Sequence, residues 1–290
     1  MNNPSYRGRF APSPTGPLHF GSLVTALASY LEARRHGGQW FIRIEDLDPL
    51  REPPEATGQI LASLDAHGLF PDEPVRFQSR RHDAYQHAID KLLENGNAYR
   101  CQCSRKELQA NGGRHPNHCR SHKSIDSDRP YAIRFALEDE DCHWQDLLLG
   151  PQHQNVKAEI DDPVILRKEG FYAYQLAVVV DDIDQGITDV VRGSDLLDMT
   201  AQQQQIYRAL GARPPKWLHI PVILNEQGQK LSKQTHAPAL DDEKPVDNLY
   251  RALVALGQNP PADLATGSLD SLLEWGRENW QRGAIHLTSR

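Results

Sequence analysis

Apolar side chains recur at helical spacing in several stretches of this chain, beginning near its start. Residues 18–36 place an apolar residue at every third or fourth position and end at a glycine pair, which predicts a helix with a defined end. Residues 39–45 follow as a short, mostly apolar run that predicts a buried strand. The order of strand, glycine-containing turn, helix and strand predicts a parallel α/β unit. Residues 55–69 and 82–96 predict two further amphipathic helices.

The pattern changes between about residue 99 and residue 125. This stretch is rich in polar residues, cysteine, histidine and glycine, and it shows neither a helical nor a strand period. We therefore expect an insertion that something other than a hydrophobic core holds in place. Regular patterns return further along the chain, and they predict strands or helices over residues 131–137, 162–167, 172–180, 196–210, 217–224, 246–257 and 268–280.

One of these later segments fits two kinds of element. Residues 172–180 are apolar enough for either a central strand or a buried helix. The acidic pair Asp181-Asp182 follows directly, and we expect it to end the element.

Composition is typical of a globular protein. The chain has 290 residues, 39% of them hydrophobic, which is enough for one large domain or two to three smaller ones. It contains no run of about 18 apolar residues, and its N-terminus lacks the apolar stretch of a signal peptide, so we expect a cytoplasmic protein without a membrane partner. The net charge is −7, so contact with nucleic acid would need a local basic surface.

Three of the four cysteines lie close together in the insertion. Three thiols and an imidazole within a short stretch are typical of a zinc site, and four protein ligands would make the zinc ion structural. The predicted ligands are Cys101, Cys103, His115 and Cys119. His118 and His122 are alternative fourth ligands. Cys142 lies apart, and we expect it to be an inert core cysteine.

Two segments far apart in the chain suit the binding of phosphate. The turn that leads into the first helix contains His19 and Gly21, and a helix N-terminus presents free N–H groups and a partial positive charge. Lys230 and Lys233 add two ammonium groups near the other end of the chain. Each segment alone is more simply a turn or a solvated loop. Together they suit a nucleoside triphosphate.

The same two segments resemble the signature motifs of class I aminoacyl-tRNA synthetases, His-x-Gly-His and Lys-Met-Ser-Lys-Ser. Here they read His19-Phe-Gly-Ser22 and Lys230-Leu-Ser-Lys-Gln234, so Ser22 and Gln234 depart from the motifs. Four further segments of the sequence resemble the glutamyl and glutaminyl branch of these enzymes specifically, and the resemblance covers about residues 6–240. The matching segments are residues 9–16, 45–48, 176–182 and 191–195.

The resemblance implies a Rossmann-like α/β catalytic domain that joins L-glutamate to ATP, with Mg²⁺ on the phosphates. It assigns catalysis to His19, Lys230 and Lys233, which together with Gly21 would bind ATP. It assigns glutamate binding to Arg9, Phe10, Ala11, Pro12, Ser13, Glu45, Tyr174 and Arg192. Within this group the two arginines and the tyrosine would read the side-chain carboxylate, and Glu45 would take the ammonium. Such enzymes also hold zinc in the corresponding insertion.

The resemblance further implies a division of the chain into four parts. These are two halves of the catalytic domain at residues 1–98 and 166–240, the zinc-containing insertion at 99–165, and a short helical domain at 241–290, with no anticodon-binding domain. A shortened chain of this kind resembles the synthetase paralogues that transfer glutamate to queuosine in the anticodon of tRNA(Asp). We expect it to act as a monomer.

Three alternatives remain open at this point. The chain would charge tRNA(Glu) if a separate polypeptide supplied anticodon recognition. It would act as a non-catalytic tRNA-binding module if it had lost its chemistry, or as a ligase that passes an activated acid to a small molecule.

Overall fold

A computed structural model describes residues 5–116, 118–121, 126, 128–225, 228–229, 231 and 238–286 of the chain. The first part folds as a three-stranded parallel sheet with the order β1-β2-β3, in which Arg7 pairs with Gln39 and Arg43 pairs with Arg76. The predicted parallel unit and its three helices are therefore confirmed. The elements are β1 (Arg7–Phe10), α1 (Phe20–Arg35), β2 (Gln39–Ile44), α2 (Ala56–Ala66), β3 (Arg76–Phe77) and α3 (His82–Glu94).

The first part of the insertion, residues 99–125, contains more regular structure than its pattern predicts. Its strand β4 belongs to a three-stranded antiparallel sheet of order β4-β5-β8, in which β5 and β8 form within the predicted segments 131–137 and 162–167. Its first helix is fixed by capping rather than by periodicity, because Ser104 and Glu107 form a reciprocal capping box. The expectation of an aperiodic stretch was therefore wrong in part. The elements are β4 (Ala98–Cys101), α4 (Arg105–Ala110), α5 (His118–Ser121), β5 (Ala132–Phe135) and β8 (Val164–Leu166).

A second sheet continues the parallel core, with the order β7-β6-β10-β9. Its strands β9 and β10 are parallel, and β6 and β7 form an antiparallel hairpin beside them. The Thr188 N–H donates to the Arg7 carbonyl at 3.0 Å, which joins this sheet to β1. The elements are β6 (Asp141–Asp146), β7 (Gly150–Asn155), α6 (Val156–Glu159), α7 (Tyr174–Asp184), β9 (Asp189–Gly193), α8 (Thr200–Ala209) and β10 (Lys216–Ile220).

Residues 172–180, which the sequence predicts as either a strand or a buried helix, belong mostly to the buried helix α7. It does not end at the acidic pair, so that expectation was wrong. Asp181 and Asp182 lie inside the helix and are almost completely buried. Both carboxylates are stabilised by partners from distant segments, since Asp181 accepts from the Tyr85 hydroxyl at 2.7 Å and Asp182 lies 2.7 Å from Arg43 Nη1.

The last two helices, α9 (Pro245–Ala255) and α10 (Leu269–Asn279), form where the sequence predicts them and pack on α1. Behind α10 the Trp280 indole N–H donates to the buried carboxylate of Glu32, and Arg277 donates to the Tyr30 hydroxyl at 2.6 Å. Helix α1 is therefore covered on one side by the sheet and on the other by this helical pair. No helix in the described ranges is long and apolar enough to cross a membrane.

Candidate functional site

A cavity of about 490 Å³ lies at the carboxyl ends of β1, β2 and β9 and at the N-terminus of α1. In open parallel sheets this edge is where ligands bind, because the loops that follow the strands converge there. All ten described residues of the predicted glutamate and ATP sites line this cavity, namely Arg9, Phe10, Ala11, Pro12, Ser13, His19, Gly21, Glu45, Tyr174 and Arg192. The structure thus brings together residues that are up to 183 positions apart in the sequence.

The helix end at the cavity is organised by His19. This residue is the N-cap of α1, and its Nδ1 accepts a hydrogen bond from the Ser22 backbone N–H at 3.2 Å. A Cβ atom at Gly21 would lie 3.3 Å from His19 Cε1, so the glycine leaves room for the imidazole. The N-terminus of α1 offers N–H groups and a partial positive charge to a ligand in the cavity, which suits a phosphate.

The two lysines of the predicted ATP site cannot be placed in the same way. Lys230, Lys233 and Gln234 lie outside the described residues. Their neighbour Leu231 lines the cavity, and its N–H donates to the Ile223 carbonyl at 2.7 Å.

Arg9 is buried and already has an ionic partner. Its Nε lies 3.1 Å from Asp182 Oδ1, and the same carboxylate pairs with Arg43 and accepts from the Tyr207 hydroxyl at 3.0 Å. These cations hold the pKa of Asp182 below its ordinary value, although burial acts in the opposite direction. The positive charge of Arg9 is therefore largely balanced within the protein.

Glu45 directly follows β2 and lies close to Arg9 and Arg43. Its backbone N–H donates to the Pro12 carbonyl at 3.0 Å, which fixes the loop after β1 beside it. Burial raises the pKa of Glu45 to about 7, against the opposing charges of Arg43 and Arg9. A substrate ammonium placed next to this carboxylate would favour its ionised form.

Arg192 is buried to the same degree as Arg9, but its contacts are different. Its Nε–H donates to His219 Nε2 at 2.9 Å, and its Nη1 donates to the Gln203 side-chain carbonyl at 2.7 Å. Its guanidinium also lies over the Trp217 ring, 4.5 Å from the centroid. Burial lowers the pKa of Arg192 from its ordinary value. Tyr174 completes this side of the cavity, and burial raises the pKa of its hydroxyl despite the nearby arginine.

Sequence reasoning missed the residues that support the cavity from behind. Asp182 and Arg43 balance the arginine and glutamate of the cavity, while Gln203, His219 and Asp146 hold Arg192. An acidic pair inside an apolar run was a usable signal, because a buried carboxylate needs a cation. The other four residues, Arg43, Gln203, His219 and Asp146, carry no local signal.

The predicted metal ligands also converge. One ligand atom from each of Cys101, Cys103, His115 and Cys119 lies within 4.8 Å of all the others. Tetrahedral zinc with Zn–S bonds of about 2.3 Å places its sulfur ligands roughly 3.8 Å apart, and Cys103 Sγ is 3.5 Å from Cys119 Sγ. Burial and the Cys119 thiol raise the pKa of Cys103 to about 12, so its thiolate would need a cation beside it. The donor set and its spacing fit zinc.

His118 and His122 are the alternative fourth ligands to His115. His118 Nε2 lies 3.6 Å from Cys103 Sγ at the edge of the cluster, whereas His115 is buried within it. His122 lies outside the described residues. Behind the cluster the Tyr99 hydroxyl is 3.2 Å from His115 Nδ1 and donates to Asp162 at 2.7 Å, which orients the imidazole. Cys142 is buried elsewhere, on β6.

Comparison with known proteins agrees with the fold. Residues 5–256 match the family of class I tRNA synthetases (E and Q), catalytic domain. The solved glutamate-tRNA synthetase of Elizabethkingia anophelis superposes with a TM-score of 0.80 at 27% identity, over 97% of this chain and 67% of that one. The sheet, the cavity and these matches define the class as a class I tRNA synthetase of the glutamate and glutamine branch.

Curated relatives narrow this class further. The chain is 46% identical to the glutamyl-Q tRNA(Asp) synthetase of Vibrio vulnificus (strain CMCP6), over 100% of this chain and 96% of the relative. It is 49% identical to the protein of the same name from Chromobacterium violaceum, over 98% and 97% of the two chains. The chain belongs to the glutamyl-Q tRNA(Asp) synthetase family and is a ligase.

Proposed function

We propose that the chain activates L-glutamate with ATP in the absence of tRNA and then transfers the glutamyl group to queuosine in the anticodon of tRNA(Asp). The observation that carries the first step is that one cavity joins an amino-acid site to a helix N-terminus suited to phosphate. The second step rests on the names of the full-length relatives. Such an acceptor places the reaction in the cytoplasm, and we propose that a monomer performs it.

Glutamate binding divides between the two sides of the cavity. Arg9, Arg192 and Tyr174 would face the side-chain carboxylate, and ionised Glu45 would hold the ammonium. Because Arg9 is paired with Asp182, Arg192 would supply most of the net attraction for the substrate carboxylate. The backbone of residues 10–13 would line the space between them. Glutamine would lack the negative charge that repays desolvation of Arg192 and would bind poorly.

In the activation step the α-carboxylate of glutamate attacks the α-phosphorus of ATP. A new P–O bond forms, the bond to the bridging oxygen breaks, and pyrophosphate leaves with the electron pair. His19 and the N-terminus of α1 would stabilise the negative charge that develops on the phosphates, together with Lys230 and Lys233. Mg²⁺ supplies further positive charge when it is bound with ATP.

In the transfer step a hydroxyl group of queuosine attacks the carbonyl carbon of glutamyl-adenylate, and AMP leaves. The insertion at residues 99–165 would contact the RNA, held in shape by zinc on Cys101, Cys103, His115 and Cys119. We propose the same four-part division of the chain for this function: 1–98 and 166–240 for catalysis, 99–165 for RNA, and 241–290 as a helical support. Within 99–165 the hairpin of β6 and β7 joins the catalytic sheet through β10 and would support catalysis instead.

The position of the transferred glutamate tests this proposal. Radiolabelled glutamate is incubated with ATP and with total tRNA from cells that make or lack queuosine. We expect label on tRNA(Asp) from the first pool alone. The label should remain on this tRNA after its 3′-terminal nucleotide has been removed. Label on the 3′-terminal ribose of tRNA(Glu) would instead indicate ordinary aminoacylation. Absence of glutamate-dependent ATP–pyrophosphate exchange would indicate a non-catalytic protein.

A further inference from the structure

The buried arginines around the cavity fall into two kinds. Arg9 and Arg43 lie 3.1 Å and 2.7 Å from Asp182 and are paired with its carboxylate. Arg192 contacts no carboxylate among the residues that the structure describes. Its hydrogen-bond acceptors are all neutral: His219 Nε2, the Gln203 side-chain carbonyl, the Leu196 backbone carbonyl and the Thr200 hydroxyl.

These contacts fix the guanidinium and leave part of it available. A guanidinium has five N–H donors. The Arg192 Nε–H and one N–H of Nη1 are used by His219 and Gln203, and Nη2 donates to Leu196 and Thr200 at 3.1 Å and 2.9 Å. The second N–H of Nη1 has no acceptor in the described part of the chain. The arginine is thus held in place while one donor remains for a ligand and no carboxylate among the described residues pairs with its charge.

The neutrality of His219 is itself enforced. Its Nδ1 lies 2.6 Å from Asp146 Oδ2, and a carboxylate at this distance accepts the Nδ1 proton. Its Nε2 must then accept the Arg192 Nε–H, because an arginine nitrogen cannot accept. The Leu148 and Leu149 backbone N–H groups bond the other oxygen of Asp146, so the carboxylate cannot turn away.

We propose that Gln203 and His219 are specificity-determining positioning residues for Arg192. By holding the guanidinium through neutral acceptors they keep one uncompensated positive charge at the cavity, and this charge selects a substrate with a second carboxylate. Asp146 acts one step further back by keeping His219 in the tautomer that can accept. The inference rests on the proposed activation of glutamate. It adds that selectivity depends on residues that do not line the cavity.

A pair of substitutions at Gln203 isolates the charge. Gln203→Glu introduces a carboxylate of the same shape that pairs with Arg192, whereas Gln203→Met removes the acceptor and leaves the charge uncompensated. In glutamate-dependent ATP–pyrophosphate exchange we expect Gln203→Glu to raise KM for glutamate about 100-fold and Gln203→Met less than about 10-fold, with KM for ATP changed less than about 3-fold in both. Inhibition by glutamine, which carries no side-chain charge, should weaken much less than glutamate binding in Gln203→Glu. Equal effects of the two substitutions on KM for glutamate would overturn the proposal.

Substitutions at His219 provide a second test that does not depend on the fold of the Gln203 variants. Gln at this position can present a neutral acceptor near the place of Nε2, and Leu cannot. We expect His219→Gln to retain KM for glutamate within about 5-fold and His219→Leu to raise it at least about 10-fold. Nitrogen-15 NMR of labelled histidine should show His219 protonated at Nδ1 alone. An Nε2-protonated ring, or equal KM values for the two variants, would contradict the inference. Lack of any exchange activity in the unsubstituted protein would instead contradict the proposed function.

Discussion

Arg9 Nε lies 3.1 Å from Asp182 Oδ1, although the two residues are separated by 173 positions and both are almost completely buried. The same carboxylate lies 2.7 Å from Arg43 Nη1, so one aspartate on α7 balances two arginines from β1 and β2. The amino-acid side of the cavity is therefore stabilised by a buried carboxylate, Asp182, that does not itself line the cavity.

Removal of this carboxylate should destabilise the whole chain. Asp182→Asn leaves the charges of Arg9 and Arg43 buried without their shared partner, and we expect it to lower the free energy of unfolding by about 3 kcal/mol. Asp184→Asn is the matched control, because Asp184 lies on the same helix but is 49% exposed and pairs with Arg76 and Arg81 at the surface. Its loss should cost less than about 1 kcal/mol. Urea denaturation measures both, and similar losses would contradict the assignment.

Glutamate binding should depend on pH through Glu45. With a pKa of about 7 this carboxyl is mostly protonated at pH 6 and mostly ionised at pH 8. Because the ionised form holds the substrate ammonium, KM for glutamate should fall about 10-fold over this range, while KM for ATP stays level. Glu45→Gln should raise KM for glutamate and remove its dependence on pH. A pH profile that persists in this variant would assign the titration to another group.

The same shift in pKa affects stability with a definite sign. The folded chain holds the Glu45 proton up to about pH 7, whereas the unfolded chain releases it near the ordinary value of 4.5. The stabilisation that protonated Glu45 gives is therefore complete below pH 4.5 and is lost as the pH rises to about 7. In Glu45→Gln this contribution should disappear from the dependence of unfolding free energy on pH.

Loss of metal should separate the two half-reactions. Metal analysis of the intact protein should find one zinc ion per chain, and Cys119→Ser should abolish it, whereas Cys142→Ser should retain it because Cys142 lies outside the cluster. No cluster residue lines the cavity. We therefore expect Cys119→Ser to keep ATP–pyrophosphate exchange within about 3-fold and to lose transfer to tRNA. Unchanged zinc content would exclude Cys119 as a ligand.

A methyl group at Gly21 should disturb ATP binding. The added Cβ would lie 3.3 Å from His19 Cε1 and 3.7 Å from the Ile223 Cβ, so the imidazole must move. We expect Gly21→Ala to raise KM for ATP about 10-fold with little change in KM for glutamate. Gly58→Ala on α2 is the control, since no atom lies within 4 Å of its added Cβ, and it should stabilise the chain by about 0.5 kcal/mol. An unchanged KM for ATP in Gly21→Ala would show that the imidazole position is not important.

The sequence predicts those parts of the molecule that depend on local pattern. Helix α1 and strand β2 follow from apolar spacing and a glycine pair, and both form within one or two residues of the predicted bounds. Helix α7 was ambiguous because a short apolar run suits a strand as well as a helix, and tertiary packing decides between them. Helix α4 was missed because a capping box, not a period, defines it.

The residues of the site also divide into those that the sequence predicts and those that only the fold reveals. Ten of the residues that line the cavity could be named from the sequence through its resemblance to the family. Gln203 and His219 could not, because each one has its function through a hydrogen bond to Arg192 that only the fold creates. A glutamine in a helix and a histidine in a strand look ordinary until the fold places both against Arg192.

Helix α1 is covered by the sheet on one side and by α9 and α10 on the other, and the ribosome makes these elements at different times. The ribosome makes α1 before α9 and α10, which pack against it, and the contact between Glu32 and Trp280 spans 248 positions. Nearly every residue from 23 to 33 is buried in the finished protein, so this helix must wait with its outer face uncovered until α9 and α10 have been made. The element that presents His19 to the cavity is thus synthesised well before it can be enclosed.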